Sequence, residues 1–160
     1  MRNVFVTARF ADTVHALVWL LRHGDAEDGE GKPDGERELT KKGERQARDA
    51  GRALKQLGVK LDVCLTSPKV RAMQTAELAC KELGVKVEED KRLAGGDFDP
   101  LEVAAGRGEV MMVGHEPDFS GAVALATGSR VKLGKGGIAA FDDHVLHALY
   151  RPKDLSAIAG

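Results

Sequence analysis

The chain has 160 residues, with 24 basic against 25 acidic side chains and a formal net charge of −1. That length predicts one domain, able to bury a core without disulfide or metal support, and the near-neutral charge excludes a nucleic-acid binder built on a broad basic surface. Hydrophobic residues at 42% and charged residues at 31% exclude a disordered chain, and no apolar run approaches the ~18 residues that span a bilayer. Cys64 and Cys80 lie in apolar stretches without CxxC spacing and predict reduced core thiols of a cytoplasmic protein. The start carries Arg2 before an apolar-leaning stretch, but Arg9, Asp12 and His15 interrupt it and no A-x-A site follows, so no signal peptide is expected. Residues 1–15 are taken as an N-terminal extension and residues 16–160 as a single domain.

Short apolar runs alternate with helical patterns along that domain, the mark of α/β architecture. Residues 16–21 are continuously apolar and predict a strand buried on both faces. A polar, Gly-rich loop follows to about Glu38. Thr40 has the character of an N-cap for a helix whose buried stripe is Ala47, Ala50, Gly51, Leu54 and Leu57, closed by Gly58. Residues 62–66 predict a second strand. Ser67-Pro68 predicts a helix start, with Ser as cap and Pro at the first helical position, running to Gly84. A third strand is expected over 85–89, a short helix capped by Asp99-Pro100 and ending near Gly106, a fourth strand over 109–113 and a helix over 118–126. Two final strands, 138–141 and 145–150, turn at Asp142-Asp143-His144. The expected fold is a three-layer α/β structure. Its sheet is mostly parallel, with helices on both faces and an antiparallel C-terminal edge hairpin.

In open parallel sheets, ligands bind beyond the carboxyl ends of the strands. Past the first strand comes Arg22-His23-Gly24-Asp25; past the second, Thr66-Ser67-Pro68 with Arg71 in the following turn; past the fourth, Gly114-His115-Glu116-Pro117. Two histidines and two arginines therefore converge on one edge of the sheet. They lack metal-ligand spacing and describe a pocket for a multiply charged oxyanion, which an arginine fork grips through two oxygens at once. Gly24, Ser67 and the nearby helix N-termini add backbone N–H groups or a hydroxyl for the same anion. Each element alone has an ordinary reading: a solvated loop histidine, a helix-surface arginine, a capping serine. The conjunction carries the inference.

These segments, together with Leu39-Thr40-Lys-Lys-Gly43-Glu-Arg-Gln46-Ala47 and Ser67-Pro68-Lys-Val-Arg71-Ala-Met-Gln74-Thr75-Ala76, resemble the histidine phosphatase (phosphoglycerate mutase-like) superfamily, over about residues 16–152 and in family order. The short chain, Arg-His-Gly-Asp-Ala and Gly-His-Glu-Pro are similar to the small bacterial SixA-type phosphohistidine phosphatases. The resemblance implies that His23 is the nucleophile and that Arg22, Arg71 and His115 surround the transferring phosphoryl group. The residues agree with it. Neighbouring cations should keep the His23 imidazole neutral, the Gly24 carbonyl can fix its tautomer, and His115 would serve best protonated against phosphate. Positioning and charge stabilisation of this kind need no metal or other cofactor.

Larger relatives carry a carboxylate acid between the equivalents of Arg71 and His115. Asp97 and Asp99 fall in that interval; Asp99 is already a helix cap, so Asp97 leads, with Asp25 as competitor. An alkoxide leaving group needs a proton, whereas the imidazole of phosphohistidine can be protonated before it departs. The short interval also leaves little chain for a lid. Both features favour a phosphorylated protein of the histidine-containing phosphotransfer type as partner, with a small phosphorylated substrate, and so a small-molecule phosphomonoesterase, as the alternative; no nucleic acid and no membrane partner is expected. A two-metal phosphoesterase needs more ligands than the lone Asp142-Asp143-His144 pattern offers. A non-catalytic phosphate-binding module would have no use for His23. His15, His144 and His147, and the loop cations Arg130, Lys132 and Lys135, read as solvated. Glu116 reads equally as an orienter of His115 or as a surface residue.

Overall fold

The computed structural model describes residues 16–160, so the expectations for residues 1–15, His15 included, lie outside the described residues. The described chain forms one six-stranded sheet in the order β3-β2-β4-β1-β5-β6. Its strands are β1 (Val18–Arg22), β2 (Val63–Thr66), β3 (Val87–Glu89), β4 (Val110–Gly114), β5 (Ile138–Phe141) and β6 (Leu146–Tyr150). β3, β2, β4 and β1 run parallel, β5 pairs antiparallel with β1, and β6 pairs antiparallel with β5. The helices are α1 (Lys41–Gln56), α2 (Val70–Leu83), α3 (Pro100–Ala104), α4 (Asp118–Thr127) and α5 (Pro152–Ala159).

Alternating residues of the central strands feed two cores, as the period-2 pleat requires. Trp19, Leu21, Cys64, Met111 and Val113 face α1, α2 and α5, while Val18, Leu20, Leu65, Val110 and Met112 face α3 and α4. The three-layer fold with its antiparallel edge is thus as expected, and both cysteines are free and buried. α1 and α2 approach closely enough that a Cβ at Gly51 would lie 2.4 Å from the Ala79 carbonyl oxygen. Alanines along both helices make that contact possible.

Four local expectations are corrected. Ser67 and Pro68 precede α2 rather than opening it: Lys69 is the N-cap and the helix begins at Val70, while the Ser67 hydroxyl accepts from the Lys69 N–H ahead of the first turn and also meets His115. Leu57 is not part of the buried stripe but an exposed C-cap beyond the last turn of α1. β3 and α3 are shorter than their sequence patterns, three and five residues. β3 is an edge strand with a half-buried face, and Ala105 leaves the helical conformation two residues before Arg107. The C-terminal helix α5 is absent from the sequence expectations; Pro152 starts it, Asp154 Oδ2 accepts from the Arg151 N–H (2.9 Å) at its N-terminus, and Leu155 is fully buried in the first core. No helix among the described residues is long and apolar enough to cross a membrane.

Candidate active site

β1 and β4 are neighbours, and their register continues one step beyond the strands: the His23 N–H donates to the Gly114 carbonyl (3.0 Å). The Ser67 N–H donates to the Val113 carbonyl (3.0 Å). His23, Ser67 and His115 are thereby brought side by side at the carboxyl edge. The loop after β1 is pressed against α1 and α2. The Gly24 N–H donates to Thr75 Oγ1 (3.1 Å), whose own hydroxyl donates to the Arg71 carbonyl (2.7 Å). A Cβ at Gly24 would sit 2.6 Å from the Gly43 carbonyl oxygen, and one at Gly43 only 2.0 Å from that of Asp25. Only two glycines allow this backbone-on-backbone contact. Thr40 caps α1 by accepting from the Gly43 N–H (3.1 Å) and donates to Asp25 Oδ2 (2.8 Å).

His23 Nδ1 lies 2.7 Å from the Gly24 carbonyl oxygen. A carbonyl can only accept, so Nδ1 carries the proton and Nε2 keeps its lone pair. Burial, helped by the Arg71, Arg22 and Lys135 charges and opposed by the Gly24 bond, lowers the His23 pKa to about 4. The His115 ring lies 5.3 Å from it, centroid to centroid. His115 Nε2 is 2.8 Å from Ser67 Oγ, and Ser67 Oγ accepts from the Lys69 N–H (3.2 Å). Burial first, then His23, Arg71 and Lys69, lower the His115 pKa to about 3, against the pull of Asp34. The imidazolium expected against phosphate is therefore disfavoured in the free protein. An incoming dianion would have to supply the charge that makes it favourable.

Arg22 donates through Nη1 to the Leu133 carbonyl (2.9 Å). Arg71 donates through Nη1 to the Asp34 carbonyl (2.8 Å) and through Nη2 to Asp34 Oδ2 (3.2 Å). His23, Arg71 and His115 are each only 6% exposed. Among the described residues, three buried side-chain nitrogens have no protein hydrogen-bond partner: Arg22 Nε, Arg71 Nε and His115 Nδ1. All three belong to this site. Buried polar groups are nearly always paired, so a cluster of unpaired nitrogens beside a neutral imidazole is suited to an oxyanion.

The structure thus brings Arg22, His23, Gly24, Ser67, Arg71 and His115 together. Asp97 is exposed and lines a groove with Phe98, Asp118, Gly121, Ala122 and Leu125. Asp25 follows the nucleophile by two residues, but its hydrogen bond from Thr40 and its pairing with Lys135 (3.4 Å) hold its pKa below the usual carboxylate value. Three contributors escaped the sequence. Asp34 reaches Arg71, Lys69 pairs with Asp34 (3.3 Å), and Lys135 reaches Asp25 rather than standing solvated in its loop. Each arrives by loop conformation, which leaves no periodic signal. His144 and His147 are remote, His147 pairing with Asp142 (2.8 Å) in the hairpin. Among the described residues, no group of three or more His, Cys, Asp or Glu side chains is placed to hold a metal ion.

Paired arginines and histidines at the carboxyl edge of an α/β sheet make a donor set whose chemistry suits a phosphoryl group. The profile of the histidine phosphatase superfamily (branch 1) matches residues 18–117, and the chain belongs to that superfamily. An uncharacterized protein of Picosynechococcus sp. (strain PCC 7002) is 39% identical over 134 residues, 76% of this chain and 81% of that protein. A 2,3-bisphosphoglycerate-dependent phosphoglycerate mutase of Nitrobacter winogradskyi is 38% identical over 95 residues, 53% of this chain but only 44% of the mutase. Among solved structures, the protein histidine phosphatase SixA complexed with tungstate superposes with a TM-score of 0.76 at 26% identity, covering 87% of this chain and 99% of that one. The alpha-ribazole phosphatase of Shigella flexneri shares the fold, with a TM-score of 0.66 at 18% identity over 85% of this chain and 96% of that one.

Proposed function

We propose that the chain is a metal-independent phosphatase that works through a phosphohistidine on His23, and that its substrate is phosphohistidine on a phosphotransfer protein of the cytoplasm. The observation that carries this reading is the pairing of a neutral His23, its Nε2 lone pair free, with the unpartnered nitrogens of Arg22, Arg71 and His115. In the first step Nε2 attacks phosphorus, the P–N bond to the substrate imidazole breaks, and the departing nitrogen takes a proton from solvent. In the second, water attacks phospho-His23, the P–Nε2 bond breaks, and inorganic phosphate and the neutral imidazole are restored. The two guanidiniums and His115 hold the phosphoryl oxygens and offset the charge that develops on them.

The likeness to SixA along nearly its whole length supports the protein substrate. The match to the mutase over fewer than half of the mutase's residues supports the second reading, a small-molecule phosphomonoesterase. Asp97 is the proposed acid for an ester leaving group, since Asp25 is held ionised. Turnover of a phosphorylated histidine-containing phosphotransfer protein, measured beside a panel of phosphate esters, tests the assignment. Faster release from the phosphoprotein is expected. Ester hydrolysis with negligible phosphohistidine turnover would replace it with the second reading, and no turnover of either would leave a binding module.

A further inference from the structure

Glu116 follows His115 in sequence, yet its hydrogen bonds go elsewhere. Its Oε1 accepts from the Ser120 N–H (2.7 Å) in the first turn of α4. Its Oε2 accepts from the Ser120 hydroxyl and from the Leu133 N–H (3.1 Å). Leu133 in turn offers its carbonyl to Arg22 Nη1 at 2.9 Å. We propose that Glu116 is a positioning residue for Arg22, acting through the Leu133 main chain, and sets the affinity of the site for the phosphoryl dianion. The proposal rests on the reading of Arg22 as a phosphoryl ligand.

The segment between α4 and β5 needs such a hook. Its later part is tied to β1 by main-chain bonds: Gly136 N–H to the Arg22 and His23 carbonyls (both 3.1 Å) and Arg22 N–H to the Gly137 carbonyl (3.0 Å). At Leu133 the buried side chain anchors the residue in the second core, but a side chain alone does not orient the two peptide groups around it. Glu116 fixes the N–H side, and the carbonyl then meets the guanidinium. One Arg22 nitrogen is thereby committed to the protein while Nε stays without a protein partner. The Glu116 carboxylate also favours the charged form of Arg22 against the desolvation that lowers its pKa. A neutral amide at 116 would forfeit that charge and place a donor against one of the N–H groups now accepted by the carboxylate.

Binding of inorganic phosphate to the purified protein, read by titration calorimetry, tests this. Glu116→Gln should weaken phosphate about ten-fold, the equivalent of one hydrogen bond. Ser120→Ala, which removes a neighbouring bond of the same carboxylate but not the one to Leu133, should stay within about two-fold of wild type. The decisive comparison is the cycle with Arg22→Ala: in that background Glu116→Gln should change phosphate affinity little, because the residue it positions is gone. Equal loss in both backgrounds, unchanged affinity in the single variant, or loss of thermal stability with affinity intact would each reduce Glu116 to a structural brace and overturn the proposal. If Glu116→Gln does not fold, Glu116→Asp keeps the charge, shortens the reach and enters the same cycle. A wild-type protein that binds no phosphate would instead overturn the reading of Arg22 itself, an outcome distinct from all of these.

Discussion

Arg71 Nη2 lies 3.2 Å from Asp34 Oδ2, so the cation best buried in the site is held by a carboxylate from the loop after β1. The same carboxylate meets Lys69 Nζ at 3.3 Å and Arg37 Nη1 at 3.0 Å, which together keep it ionised far below the usual carboxylate range. A phosphate entering the site must share Arg71 with this charge. The Asp34 side chain is 58% exposed, so its ion pairs are worth ~0–1 kcal/mol and are screened by salt. Asp34→Asn keeps the main-chain carbonyl that accepts from Arg71 Nη1 and removes the competing charge. Phosphate affinity should rise by roughly two- to five-fold, the equivalent of ~0.4–1 kcal/mol, and the gain should shrink at high salt. A fall in affinity would show that the carboxylate serves chiefly to hold Arg71 in place.

Replacing His23 with asparagine should lower turnover by about 10³-fold or more, the scale seen when a covalent nucleophile is removed. The fold should survive, because the ring contributes a single hydrogen bond, to Gly24. Rapid quenching with labelled substrate should give an acid-labile, base-stable label on wild type alone. Labelling of the variant would exclude His23 as the phosphoryl acceptor.

Both site histidines are buried in the neutral form, with pKa values of about 4 for His23 and about 3 for His115 against 6.5 when exposed. Below pH 6.5 the unfolded chain takes up protons that the folded chain refuses. The stability contributed by these groups is therefore complete above about pH 6.5 and is lost progressively as the pH falls toward 4 and then 3. The melting temperature should drop between pH 7 and pH 5. Added inorganic phosphate should flatten that drop, since a bound dianion favours the imidazolium of His115. Calorimetric scans at pH 7, 6 and 5, with and without phosphate, read both effects. A melting temperature independent of pH over this range contradicts the burial of neutral imidazoles.

Asp97→Asn should slow hydrolysis of an unactivated phosphate ester by about one to two powers of ten more than hydrolysis of a phosphoramidate, because only the alkoxide must be protonated as its bond breaks. Asp25→Asn should show no such difference, since Thr40 and Lys135 already keep Asp25 ionised. An equal, large loss on both substrates from Asp97→Asn would mean that it organises the site; no loss on either would remove it from the mechanism.

The parts of the fold legible in the sequence are those where one physical effect dominates. β1, β2 and β4 are buried on both faces and show as continuous apolar runs, and Thr40 marks the start of α1 because a cap has few substitutes. The strand ends then placed Arg22, His23, Arg71 and His115 at one edge of the sheet. Where two effects compete, the sequence misleads. Ser67 has the character of a helix cap, but its hydroxyl takes the Lys69 N–H ahead of the helix and pairs with His115 as well. α5 has only eight residues and a single fully buried anchor, Leu155, too little for a period to show. Asp34, Lys69 and Lys135 join the site through loop paths, and Glu116 reaches Leu133 seventeen positions away; no local pattern encodes such contacts.

The contact between Gly43 and Asp25 has a consequence for how this chain can vary. Position 43 lies in the first turn of α1, where alanine would ordinarily favour the helix. Here a methyl group would stand 2.0 Å from a main-chain oxygen of the segment that carries His23. The surface of α1 is therefore a mould, and the backbone around the nucleophile is cast against it. A substitution at 43 can leave every phosphate-contacting side chain in the sequence and still spoil the casting. Descendants of this protein are free to change the helix there only if they redraw the loop as well, so the two segments must evolve as a pair.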